Sequence, residues 1–230
     1  MSDFAGFPRE LYSFLSDLKQ NNNRDWFNDH KDQYLRHVKE PTIAFISSMK
    51  DRLPNISSSY VADTRANGGS MFRIYRDTRF SKDKTPYKTN IGCQFRHAAG
   101  KDAHAPGFYM HLQPGENFAG GGIWMPPTPV LSKIRDAIDR HQDEWISIKE
   151  FINQDGRLQV AQGERYKRPP QGFTADHPLI DDLKLKSFFA SRSFSDSDVT
   201  SAGFIDVIVE TFQDIAPLMR FINEALGLSF

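Results

Sequence analysis

Cysteine is almost missing from this chain, and its scarcity excludes a good deal. Cys93 is the only one. No intramolecular disulfide can form and no cysteine-rich zinc site can be assembled, so a reducing, cytoplasmic setting is the expectation. Net charge is missing too, with 29 Lys plus Arg balanced by 29 Asp plus Glu in 230 residues. A surface coated for bulk nucleic-acid binding is thereby excluded, and any electrostatic attraction has to be local. No apolar run approaches the roughly 18 residues of a membrane span. The first residues, MSDFAGFPRELYSF, carry an acid at position 3 and no apolar stretch of a secretion signal. No membrane association is expected. GxSxG, HExxH and GxxxxGK[ST] are all absent, and no cofactor is implied.

What remains is a folding composition. Hydrophobic residues make up 39% and charged residues 25%, which is the balance of a globular chain rather than a disordered one. There are 19 phenylalanines, and a core must absorb many of them. No repeat, low-complexity tract or linker divides the chain, so one domain over 1–230 is expected.

The apolar spacing changes along the chain. Leu11, Phe14, Leu15 and Leu18 recur at helical intervals, and Asn21-Asn22-Asn23 ends that helix and can cap the next. Pro41 suits the first turn of a further helix carrying Ile43, Phe45, Ile46 and Met49. From 55 to 125 short alternating runs take over: 71–75, 88–95, 107–113 and 117–125 read as strands, with Pro114-Gly115 as a turn. The short spacing favours antiparallel hairpins. Helices return after Thr128-Pro129, a strand is expected near 186–194, and Phe204 to Leu226 is amphipathic with Pro217 inside it. The expectation is an α+β fold, a mainly antiparallel sheet packed by N- and C-terminal helices.

Within this neutral chain residues 73–90, RIYRDTRFSKDKTPYKTN, place six bases against two acids. On a strand, Arg73, Tyr75, Asp77 and Arg79 share one face, and Phe72, Ile74 and Arg76 the other. Arg76 is then either paired inside, or the strand ends near Tyr75 and the chain turns. Guanidinium forks match phosphate or carboxylate, and lysines add point charge. Arg73, Arg76, Arg79, Lys84, Tyr87 and Lys88 are therefore the candidate anion ligands, for a phosphate-bearing small molecule, a nucleotide or a nucleic-acid segment. Two further readings stay open. One is an enzyme with Asp77 as acid/base, His111 as its partner and the arginines stabilising developing negative charge. The other is a structural segment in which the charges pair internally.

The pattern Arg73-x-x-Arg76-Asp77-x-Arg79-Phe80-x-x-Asp83-Lys84-x-x-Tyr87 resembles the signature of the DUF2461 family, whose members are mainly bacterial. The resemblance extends to NNNRDWF (21–27), PGFYMHL (106–112) and GGGIWMP (120–126). It implies that 73–87 is a shared feature, and it implies no reaction.

Other residues give weaker signals. His111 is expected on a strand face shared with Tyr109 and Gln113. Gly120-Gly121-Gly122 lacks phosphate-loop spacing and suggests close backbone approach. Trp124 is expected in the core, with stacking on a ring or base as the alternative. His104, His111 and His177 have no metal-site spacing. Cys93 reads as a structural thiol, and Arg165 to Arg168 as a solvated loop.

Overall fold

In the computed structural model, residues 4–100, 105–154, 156, 158–160 and 163–230 are described. His104 lies outside them. The N-terminal quarter is helical: α1 (Glu10–Gln20), α2 (Arg24–Asp29), α3 (Lys31–Tyr34) and α4 (Glu40–Arg52). The asparagine run separates the first two as its composition suggests. Asn21 Nδ2 donates to the Asp17 carbonyl, and Asn23 Oδ1 accepts from the Trp26 N–H at 2.9 Å.

Pro41 does not start a separate helix. A π-helical stretch, Leu35–Lys39, joins α3 directly to α4, and the Glu40 N–H reaches back to the Leu35 carbonyl. Proline lacks the donor that an α-helical register needs, and a one-residue widening just before it lets the helix continue.

The sheet contains β1 (Tyr60–Val61), β2 (Ile91–His97), β3 (Gly107–Leu112), β4 (Asn117–Ile123), β5 (Gln159–Val160) and β6 (Phe188–Phe194). Its order is β1-β2-β3-β4-β6-β5, and every pairing is antiparallel. The expected strands at 88–95, 107–113, 117–125 and 186–194 are present within a few residues. The two-residue strands β1 and β5 have no alternation to betray them. Segment 71–75 is not a strand. Isolated bridges join Met71 to Cys93 and Tyr75 to Tyr87, so three residues (72–74) face five (88–92). That mismatch leaves no continuous ladder and makes the region an irregular, bulged hairpin.

The remaining helices are α5 (Thr128–Arg140), α6 (Gln142–Asn153), α7 (Ile180–Leu183), α8 (Asp196–Val199) and α9 (Phe204–Leu226). α9 runs unbroken through Pro217. Its buried stripe, including Ile208, Phe212, Ile215 and Met219, lies on the sheet, with Phe212 stacked on Phe108 at 4.6 Å. Phe95, Phe108, Met110, Leu112, Ala119 and Phe188 point into one core shared with α1, α4, α5 and α6. The structure is α+β. Gly120 to Gly122 serve close approach, as expected. A Cβ at 121 would stand 3.1 Å from Ile215 Cγ2 and from Met219 Sδ.

The alternate residues of β2, β3 and β4 form the other face: Gln94, Arg96, Tyr109, His111 and Phe118, all half-buried. Trp124 is not in the core. It lies 62% exposed just past β4, its ring 5.1 Å from Phe189, because the strand ends at Ile123 and the chain turns away. No described helix is long and apolar enough to cross a membrane.

Candidate functional site

The arginine-rich hairpin is held to the helical layer by aromatic rings and one asparagine. Ile74 and Tyr87 are buried, and Phe27 of α2 stacks on Tyr87 with centroids 4.1 Å apart. Tyr75 lies 5.5 Å from Tyr87 on its outer side and is 54% exposed. Asn22 then completes the anchorage. Its Nδ2 donates to the Tyr87 carbonyl at 3.0 Å, and its Oδ1 accepts from the Tyr87 N–H at 3.1 Å. A side-chain amide thus pairs with a backbone residue as a strand neighbour would. The two arms hold each other through the Arg76 N–H to the Pro86 carbonyl (2.9 Å) and the Lys88 N–H to the Ile74 carbonyl (2.8 Å).

Beyond these bonds residues 77–85 form a braced tip. The Arg79 guanidinium forks onto the Asp77 carboxylate at 3.0 and 2.7 Å. Arg76 bonds to the Asp83 carboxylate and the Thr85 hydroxyl. Lys84 Nζ donates to the Thr78 carbonyl at 2.8 Å. The donated hydrogen bonds from Arg79 pull the Asp77 carboxyl down to about 2, and the Thr85 N–H followed by Arg76 does the same for Asp83. Both acids therefore stay ionised at neutral pH. This bracing holds Phe80 in water at 95% exposure. A ring left out in this way forgoes about 1.5–3 kcal/mol of burial.

The hairpin distributes the expected anion ligands among three places. Arg76 and Tyr87 line a cleft of about 290 Å³ between α2 and the hairpin, together with Arg24, Asn28, Tyr75, Thr78 and Pro86. Arg79 and Lys84 belong to the tip. Lys88 stands near the other sheet face, its Nζ 5.3 Å from the Phe72 ring, and Arg73 is exposed and acts electrostatically on both Lys88 and Asp77. Burial, then repulsion from Arg73, lowers the Lys88 pKa.

Among the described residues no hydrogen bond or ion pair joins Asp77 to His111. Asp77 is committed to Arg79. His111 is committed to its own face, with Nδ1 3.2 Å from the Tyr109 hydroxyl, 3.4 Å from Asn90 Nδ2, and its ring stacked on Phe118. Burial lowers its pKa, so the neutral imidazole is favoured. Cys93 is buried, and burial pushes its thiol up. Among the described residues no group of three His, Cys, Asp or Glu could hold a metal ion.

Arg24, Asn28, Tyr75, Thr78 and Pro86 are the cleft residues outside the candidate set read from the sequence. The signal for Arg24 and Asn28 lay in the asparagine-rich stretch at 21–27, which contains the first and ends beside the second. The stretch and the arginine-rich segment are remote in sequence, yet they meet at one cleft.

The profile of the family described as a conserved hypothetical protein, DUF2461, matches residues 10–221. The chain belongs to this family. The DUF2461 match runs from α1 nearly to the end of α9, so it includes the hairpin, α2 and the sheet between them. No curated protein matches the chain.

Proposed function

We propose that this DUF2461 protein binds a small phosphate- or carboxylate-bearing ligand in the cleft between α2 and the hairpin. One observation carries the reading: the seven residues lining the cleft include two arginines, Arg24 and Arg76, and no acid. Arg24 is exposed and makes no ion pair among the described residues, so its guanidinium is available to an anion. Arg76 is fixed by Asp83 and Thr85, which orients it at little further entropic cost when a ligand arrives. Tyr75 and Thr78 add hydroxyl groups to the lining. A cytoplasmic location belongs to the same reading, supported by the single, buried cysteine.

The ion pairs at the tip favour a structural role for Arg79 and part of the role of Arg76. Arg24 therefore separates binding from bracing. In a thermal-shift assay, inorganic phosphate or a nucleotide at a hundredfold excess over Kd should raise the wild-type Tm by on the order of 5–10 °C. Arg24→Ala, at an exposed position whose side chain makes no hydrogen bond or ion pair among the described residues, should fold normally and lose most of that rise. No rise with any phosphate or carboxylate ligand, or an undiminished rise in Arg24→Ala, overturns the reading.

A further inference from the structure

We propose that the braced tip beside the cleft makes this a site for single-stranded nucleic acid, with Phe80 stacking on a base while the cleft holds an adjacent phosphate. The inference rests on the cleft reading for its phosphate contact and on independent features of the tip for its base contact. Phe80 is 95% exposed, and the hydrogen bonds of Asp77, Arg79, Lys84 and Thr78 around it fix the loop that presents it. A braced loop that presents its ring to water leaves both faces of that ring open to a flat partner. Its surroundings are cationic. The Arg79 guanidinium carbon is 5.8 Å from the ring centroid, and with Arg79 and Arg76 paired to Asp77 and Asp83, Lys82 and Lys84 carry the excess positive charge of the tip.

Thr78 lines the cleft and Phe80 lies two residues further on, a Cα separation of at most about 7 Å. That span suits neighbouring groups of one strand. The chemistry also selects among partners. A protein interface or a lipid surface rewards a contiguous apolar patch. Phe80 stands alone between Arg79 and Ser81, with Thr78 and Lys82 beyond. An exposed ring flanked by polar and cationic residues matches base stacking with backbone attraction, which works one base at a time.

The test is fluorescence anisotropy with a labelled oligothymidylate and the matching oligouridylate, on the full chain, over a salt series. Wild type should bind at low salt and weaken steeply as salt rises. Phe80→Ala should lose roughly 5- to 100-fold in affinity, and Phe80→Trp should retain wild-type affinity or gain. The solvated position of Phe80 predicts unchanged Tm for both variants, which a melting curve verifies. Equal binding by wild type and Phe80→Ala, or no oligonucleotide binding at low salt, overturns the proposal. Equal affinity for duplex DNA of the same length overturns stacking. Capture by anionic phosphatidylserine vesicles that is lost in Phe80→Ala, without oligonucleotide binding, replaces the strand with a lipid surface. Oligonucleotide binding that depends on Phe80 but not on Arg24 keeps the stacking and refutes the cleft as its phosphate site, so the two readings fail separately.

Discussion

Asn22 shows what a single side chain contributes when it stands in for a strand. Both of its polar atoms serve the backbone of Tyr87, and among the described residues no other group bonds to that N–H or carbonyl. Asn22→Ala would leave the Tyr87 N–H and carbonyl without these partners in a half-buried place. The expected loss is about 1–3 kcal/mol, measured by chemical denaturation. Asn22→Asp keeps the acceptor and loses the donor, and it sets a carboxylate against the carbonyl, so it should not rescue the variant. Asp77 and Asp83 give a pH prediction at the same scale. Their folded pKa values, about 2, lie below the ordinary carboxylate value near 3.9. Whatever order their bonds confer is present above pH 4 and is lost as pH falls toward 2. Carboxyl carbon shifts followed by NMR should show both midpoints near 2. Midpoints near 4 would mean that the tip is not braced in solution. Charge counting at 73–90 found the bases, but it could not show that Arg76 reaches seven residues ahead to Asp83 while Arg79 turns back two residues to Asp77. Those pairings depend on how the tip turns.

Among the elements, the helices and long strands announced themselves and the hairpin did not. Leu11, Phe14, Leu15 and Leu18 predict α1 because burial follows the helical period, and all four are buried. Alternation similarly exposes β3, where Phe108, Met110 and Leu112 point inward and Tyr109 and His111 outward. Residues 71–75 carry the same alternation, yet their partner arm has two more residues than they can pair with. Register is a property of two segments, and one segment cannot reveal it. The contact of α9 with β4 is likewise a two-element property. Gly121 faces Ile215 and Met219 with no side chain between, so a larger residue must push helix and sheet apart. Gly121→Val is expected to cost about 1–3 kcal/mol by overpacking, read from the denaturation midpoint. Gly115→Ala is a different case, since nothing lies near its missing Cβ. The cost there comes only from its positive φ of 74°.

At the scale of the whole molecule, the ends of the chain close the fold over the middle. That closure decides where a site can form. The N-terminal helices and α9 share the core face of the sheet, leaving the hairpin to project from one edge of β2 and meet α2. The cleft exists because residue 24 and residue 76 belong to different layers, which is why composition and periodicity locate the arginine segment but not its companions. On the same edge, β1 is tied to α9 by a buried exchange: Tyr60 Oη donates to Asn223 Oδ1 at 3.0 Å and accepts from Asn223 Nδ2 at 2.8 Å. The two residues are 163 positions apart. Burial pushes the Tyr60 phenol well above its usual range, so it remains a neutral donor throughout the working pH range. Tyr60→Phe keeps the ring packed on Phe108 and removes only the hydroxyl, stranding both polar atoms of the Asn223 amide in the core. The expected loss is about 1–3 kcal/mol. Tyr60→Phe combined with Asn223→Leu should recover part of it, since the unsatisfied amide is then gone. If the single and double variants are equally destabilised in a double-mutant cycle, the hydroxyl and the amide are not coupled, and the edge of the sheet must be held by the rings alone.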